Sequence, residues 1–222
     1  MTKFWIILYS LLLIVVLSTF NPISFNSGLT LFKIKNIEIE NTQVIKKENL
    51  RNLFNSKLYL TSLISVNEDK ILDILKENQL IKSIEIKKIY PSKLKIKVYE
   101  KKPIAILNNK KDTFYLTKKG EEIRYFDNEI LANLPRIFGS QKNFLKIYSS
   151  LVDLDFPIID IKSFYYFDIG RWDIILKNSN TIKLPVTNFN ESLKNYKDLE
   201  KDFNFEKYSI FDYRIKDQLI LN

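Results

Sequence analysis

From Phe4 to Phe32 no side chain carries a charge, and the 17 residues from Phe4 to Phe20 are apolar except for Tyr9, Ser10, Ser18 and Thr19. As a helix this run would rise about 25 Å, the short end of a bilayer span. The chain continues Leu17-Ser18-Thr19-Phe20-Asn21-Pro22 without an alanine, so it lacks the small residues of a cleavage site. The expectation is an uncleaved signal anchor over residues 4–23 behind a tail of residues 1–3. Lys3 and the α-amino group precede the run and Trp5 lies near one end, which places the N-terminus inside and everything after about residue 30 on the far side.

Beyond the anchor the pattern changes period. Ile37 and Ile39 alternate with Glu38 and Glu40, as in a half-buried strand. Residues 46–56 place Leu50, Leu53 and Phe54 on one helical face, and residues 67–78 do the same with Ile71, Leu72, Ile74 and Leu75 behind an Asn67 N-cap. Ile84 and Ile86, a turn at Tyr90-Pro91-Ser92, then Leu94, Ile96 and Val98 alternating with Lys93, Lys95 and Lys97 predict a hairpin. The order β-α-α-β-β suits a three-stranded sheet covered on one face by two helices, with the lysine-bearing face in water. After Pro103 come strands at 104–107, 113–117, 122–126, 161–168, 172–177 and 181–184, helices near 143–153 and 190–203, and a last hairpin of 208–214 and 218–222 turned at Lys216-Asp217. The fold class is α+β: a small domain over 32–102, then an antiparallel-sheet domain with flanking helices over 103–222. Gly120, Gly139 and Gly170 fall where turns are needed.

Composition narrows the chemistry. The 222 residues contain no histidine and no cysteine, which removes Ser-His-Asp, Cys-His and zinc chemistries. No cofactor or metal site is expected. Thirty-five basic and 26 acidic residues give a formal charge of +9, but only Arg51, Arg124, Arg136, Arg171 and Arg214 are arginine. Diffuse lysine is a poor reader of bases and phosphates, so nucleic-acid binding is disfavoured. Glu121-Glu122 and Asp153/Asp155 are carboxylate pairs of a kind that glycan cleavage uses, but adjacent acids on turns ordinarily meet water.

Longer motifs carry a family resemblance. Ile81-Lys82-Ser83-Ile84 and the run from Ile89-Tyr90-Pro91 through Val98-Tyr99-Glu100 to Pro103-Ile104-Ala105 resemble the long signature with which the FtsQ/DivIB cell-division family passes from its POTRA domain into its β domain. Leu134-Pro135-Arg136-Ile137-Phe138-Gly139, Arg171-Trp172-Asp173 with Thr181-Ile182-Lys183-Leu184-Pro185, and Asp212-Tyr213-Arg214 through Leu219 resemble later motifs of that family. Departures are a very short tail, Asn178-Ser179-Asn180 in place of a glycine turn, with asparagine tolerant of the left-handed conformation, and Lys216 in place of proline. The resemblance implies a non-enzymatic, single-pass inner-membrane protein with its bulk in the periplasm at the division septum. It also implies that the β domain binds FtsB and FtsL through a C-terminal strand edge, helping control septal wall synthesis.

The residues supply a mechanism for that edge. Gln218, Leu219, Ile220 and Leu221 form a terminal strand with few neighbours left to cover it and no charge among its apolar residues. Arg171 and Arg214 are forked donors able to grip a partner carboxylate, unless Asp173 and Asp212 hold them internally. Tyr213, Ile215 and Asp217 complete the expected partner-binding set with Asp212. The aromatic run Phe164 to Phe167 reads as core, and Lys46-Lys47 and Lys87-Lys88 as groups able to touch anionic headgroups. The alternatives are a membrane-anchored carboxylate-dependent wall hydrolase, a POTRA module of an envelope assembly system, and a polyanion binder.

Overall fold

The computed structural model describes residues 2–19, 32–76, 78–109, 112–202 and 207–222. By contact density the chain divides into two compact units, Met1–Glu77 with Ser83–Tyr99 and Asn78–Lys82 with Glu100–Asn222.

Helix α1 spans Thr2–Thr19, and the apolar side chains from Phe4 to Leu17 are all exposed. Among the described residues no helix is long and apolar enough to cross a membrane. The described side chains of α1 run only from Phe4 to Ser18, about 22 Å of helix against a hydrocarbon core of about 30 Å. The expected span of 4–23 extends past this helix into residues outside the described ones.

The first unit continues with β1 (Asn36–Glu40), α2 (Lys47–Leu58), α3 (Glu68–Leu75) and all but the ends of β2 (Ile81–Ile89) and β3 (Lys93–Glu100), of which Ile81, Lys82 and Glu100 fall in the second. Its three strands take the order β1-β3-β2, with β1 parallel to β3. Asn67 caps α3 through its side chain, which accepts from the Lys70 backbone N–H at 3.0 Å. Leu50, Phe54 and Leu58 of α2 and Ile71 and Leu75 of α3 are buried, as are Ile37, Ile39, Leu94, Ile96 and Val98 of the sheet. The opposite face is charged rather than simply basic. Glu38 pairs with Lys93, and Glu40 pairs with Lys95 at 2.7 Å.

The second unit holds β4 (Pro103–Asn108), β5 (Thr113–Thr117), β6 (Glu122–Arg124), β7 (Arg136–Phe138), α4 (Gln141–Asp153), β8 (Ile161–Phe167), β9 (Arg171–Leu176), β10 (Thr181–Lys183), α5 (Phe189–Asp202), β11 (Ile210–Asp212) and β12 (Ile220–Leu221). They form one nine-stranded sheet, β12-β11-β10-β9-β8-β7-β4-β5-β6. The sheet is mixed, which corrects the antiparallel expectation: β4–β7, β7–β8 and β10–β11 are parallel. Helices α4 and α5 are the cause at β7–β8 and β10–β11, since each carries the chain back across the sheet to begin the next strand in the same direction.

Register explains the layering. Ile137, Phe164, Ile174, Ile182, Phe211 and Leu221 are matched across β7 to β12. On that face they join Phe144, Ile147 and Leu151 of α4 and Leu193 and Tyr196 of α5 in one core. The aromatic run divides by period two. Phe164 and Tyr166 pack with Trp172, whereas Tyr165 stacks on Phe138 and the half-exposed Phe167 lies under Arg171. Gly139, at φ +139°, is required by close approach, because a Cβ there would run into Cβ of Tyr166.

Candidate functional site

The last strand is an edge. β12 pairs with β11 alone, through Phe211↔Leu221 and Asp212↔Ile220, and no described strand lies beyond it. Ile210 and Asn222 exchange both main-chain bonds, at 2.9 and 3.1 Å. Since antiparallel residues alternate in direction, Leu221 turns its N–H and C=O toward the open edge. The β11–β12 connection is tight, with Asp217 in the left-handed region at φ +57° and the Gln218 N–H donating to the Ile215 carbonyl at 3.2 Å.

Beside this edge is a cavity of about 680 Å³. Its walls include Tyr213, Arg214, Ile215, Asp217, Gln218 and Leu219, six of the ten sequence-expected positions. The opposite wall is the loop after β10 and the first turns of α5, including Val186, Glu191 and Asn195. Sequence reasoning missed that wall, whose one signal was the Leu184-Pro185 end of the β10 motif. Val186 and Ile215 are exposed apolar groups at the mouth, whereas the Tyr213 hydroxyl donates to Asn195 Oδ1 at 3.0 Å. Burial drives the Tyr213 phenol far above its ordinary range, so it stays neutral.

Arg171, Asp212, Ile220 and Leu221 stand outside the cavity walls. The sheet face away from α4 and α5 carries Asp173, Lys183 and Asp212 at matched register positions on β9, β10 and β11. Both arginines of interest attach to this row. Arg214 Nε donates to the two carboxylate oxygens of Asp212 at 2.8 and 2.9 Å, Nη2 donates to Oδ2 at 2.5 Å, and the Arg214 backbone N–H adds a fourth bond at 3.1 Å. Arg214 still leaves 43% of its side chain exposed, so part of its fork faces solvent. Arg171 is different. Its side chain is 16% exposed, its guanidinium lies 4.2 Å from the Phe167 ring centre, and its Nε is 3.4 Å from Asp173 Oδ1. A side chain so covered has little fork to offer a partner, which leaves Arg214 as the accessible one of the pair.

The two acids of the row respond oppositely. Hydrogen bonding from Arg214 holds the Asp212 carboxyl below the usual range, over a smaller cost of burial. Burial pushes Asp173 up despite Arg171, Lys183 and Arg214, and neither Asp173 Oδ1 nor Arg171 Nε has a hydrogen-bond partner among the described residues. A raised folded-state value means that the native chain binds the proton more tightly than the unfolded one. Stability from this site therefore falls as pH rises from about 3.9, the unfolded value, through the raised one. Asp173→Asn is expected to flatten that slope and to keep or raise Tm at pH 7. Thermal melts across the acid range measure it, and a Tm drop beyond about 4 °C at pH 7 would show the ionised pair to be a net stabiliser.

The acids of the hydrolase alternative do not converge. Glu121 pairs with Lys101 at 3.0 Å, and Asp155 is fully exposed with Lys197 at 3.7 Å. Among the described residues no acidic group is arranged to hold a metal.

A family model described as "POTRA domain, FtsQ-type" matches residues 32–101, and one described as "Cell division protein FtsQ/DivIB, C-terminal" matches residues 105–214. The cell division protein FtsQ of Rickettsia bellii is 32% identical over 195 residues, covering 84% of this chain and 71% of that protein. The chain belongs to the FtsQ/DivIB family. FtsQ of Rickettsia conorii is 29% identical over the same shares, and FtsQ of Bartonella bacilliformis is 24% identical over 203 residues, covering 89% of this chain and 64% of that one. FtsQ/DivIB proteins are cell-division scaffolds rather than enzymes, which disposes of the hydrolase alternative and gives the β-α-α-β-β unit its identity as an FtsQ-type POTRA domain.

Proposed function

We propose that this chain is a bitopic inner-membrane scaffold of the division septum that captures FtsB- and FtsL-like partners on the open edge of β12. The observation that carries the reading is the edge itself: Leu221 points an unused donor and acceptor outward, beside a cavity with apolar side chains at its mouth. An extended segment added there would gain main-chain bonds from the edge and side-chain discrimination from the cavity. The exposed part of the Arg214 fork stands within reach of an acidic side chain on such a segment.

Anchoring by α1 is part of the proposal. Its exposed apolar side chains need a nonaqueous surrounding, and its serines are already satisfied: Ser10 Oγ donates to the Ile7 carbonyl at 2.8 Å and Ser18 Oγ to Val15 at 3.1 Å. The anchor is the uncharged run that begins at Phe4, whose 17 residues to Phe20 stand at the short end of a bilayer span. The POTRA domain then covers 32–102 and the β domain 103–222, the bulk lying in the periplasm.

The test is co-purification of the full chain from detergent-solubilised membranes of dividing cells. Small coiled-coil membrane proteins of the FtsB and FtsL type are expected to accompany the intact chain and to be lost from one ending at Arg214. Equal recovery with both chains would overturn the edge reading.

A further inference from the structure

The first unit exposes a second apolar surface that partner capture leaves unexplained. Residues 32–34 run beside residues 60–63: the Leu63 N–H donates to the Phe32 carbonyl at 2.9 Å, Ile34 to Thr61 at 2.8 Å and Leu60 to Ile34 at 3.0 Å. The β2–β3 turn reaches the same end, where the Phe32 and Tyr90 rings meet edge to face at 4.9 Å and Lys88 Nζ donates to the Ile64 carbonyl at 3.2 Å. Phe32, Tyr59, Leu60, Ile64 and Tyr90 are all exposed there, between 41% and 56%. Five large apolar groups on connecting segments of one small domain exceed scattered surface exposure.

The segments that carry them hold charges of one sign. The segments 32–35, 57–66 and 86–93 contain Lys33, Lys35, Lys57, Lys87, Lys88 and Lys93 and no acid. Only Lys93 among them has an ion pair with a described carboxylate, Glu38. Twelve residues, 20–31, separate this end from the end of α1 in the sequence, at most about 43 Å of chain.

We infer that this end of the POTRA domain docks on an anionic lipid surface, with Phe32, Leu60, Ile64 and Tyr90 entering the headgroup region and the lysines engaging lipid phosphates. The inference rests on α1 being a membrane anchor. Aromatic rings and lysines with long apolar stems partition to this boundary, and anionic headgroups supply the counter-charge that these three segments lack. Short tethering makes docking nearly intramolecular, so individually weak lipid contacts suffice. The consequence is orientational: a docked POTRA domain restricts the directions in which the rest of the chain leaves the membrane.

The chain has no native cysteine, so a single introduced one reports without background. The full chain carrying Ile64→Cys, or Ile159→Cys as an exposed control in the other unit, is labelled with an environment-sensitive fluorophore. Each is reconstituted into vesicles with brominated acyl chains, with and without phosphatidylglycerol. The Ile64 label is expected to be quenched and the Ile159 label not. Quenching should be largely lost without phosphatidylglycerol and in the Lys33→Glu, Lys35→Glu, Lys87→Glu chain. A chain that floats with the vesicles but leaves Ile64 unquenched overturns this inference alone, whereas a chain that does not float overturns the anchor and this inference together. Equal quenching in neutral vesicles overturns the lysine contribution. A label unquenched by lipid but shielded by added membrane extract makes the face a protein contact and also overturns the lipid assignment.

Discussion

Leu221→Pro is expected to weaken capture of an extended FtsB-like segment about tenfold or more relative to Leu221→Ala. Both substitutions remove the part of Leu221 that packs against the core of the second unit, so the comparison cancels that loss. They differ at the edge. Proline deletes the outward N–H and puts its ring where an added strand would lie, whereas alanine keeps the donor. The inner ladder is spared, because Ile210 and Asn222 exchange their bonds one residue further on. Proline on the open side of an edge strand is also the least disruptive place for it in a sheet. Titration of a labelled partner segment into the detergent-solubilised chain, with circular dichroism and Tm as folding controls, gives the result. Equal affinities for the two variants would mean that the partner does not add to this edge, and attention would pass to the cavity walls.

The edge was legible in the sequence because the turn at Lys216-Asp217 commits residues 218–222 to one hairpin partner, and their uncharged run carries none of the groups that guard an edge. Period-two alternation likewise located most strands, and Asn67 announced the start of α3 through capping chemistry. Strand direction was not legible. Alternation in Thr181–Lys183 and Ile210–Asp212 is the same whether the pair runs parallel or antiparallel, and α5 between them decides it. β7 is three residues long, too short to show a period, and stood out only as Arg136-Ile137-Phe138 within a family-like motif. At the β9–β10 turn the left-handed residue is Ser179, at φ +74°, rather than an asparagine. Asn178 instead accepts from the Asn180 N–H at 3.0 Å, closing the turn with its side chain and leaving the middle residue to take the unusual φ. The arginine alternatives, partner grip or internal pair, depend on distances and exposure. Both internal pairs exist, and only Arg214 keeps an accessible face.

That pairing changes what an Arg214 substitution does. Arg214→Glu is expected to abolish partner capture, and it is also expected to cost about 2 kcal/mol of stability. The second effect follows from Asp212, whose side chain is only 9% exposed and receives its hydrogen bonds from Arg214. Glutamate would remove those donors and set a second negative charge beside a largely buried one. The figure is held below the range for breaking fully buried pairs because the 43% exposure of Arg214 lets water screen the interaction. The pH dependence carries a sign. Asp212 has a lowered folded-state value, so the wild-type pair stabilises fully above about 3.9, the ordinary aspartate value, and its contribution is lost as pH falls through the lower folded value. In Arg214→Glu the adjoining carboxylates favour a shared proton, so that variant regains stability on acidification before the wild type loses much. The Tm gap between the two should therefore narrow from pH 7 toward pH 4, and a gap constant over that range would exclude the Asp212 explanation. Arg214→Gln separates folding from recognition, since it adds no charge and keeps a donor for Asp212. It should recover most of the lost stability, yet capture an acidic segment poorly, because one amide cannot bond Asp212 and reach outward at once. Near wild-type affinity in Arg214→Gln would assign this arginine to the fold alone.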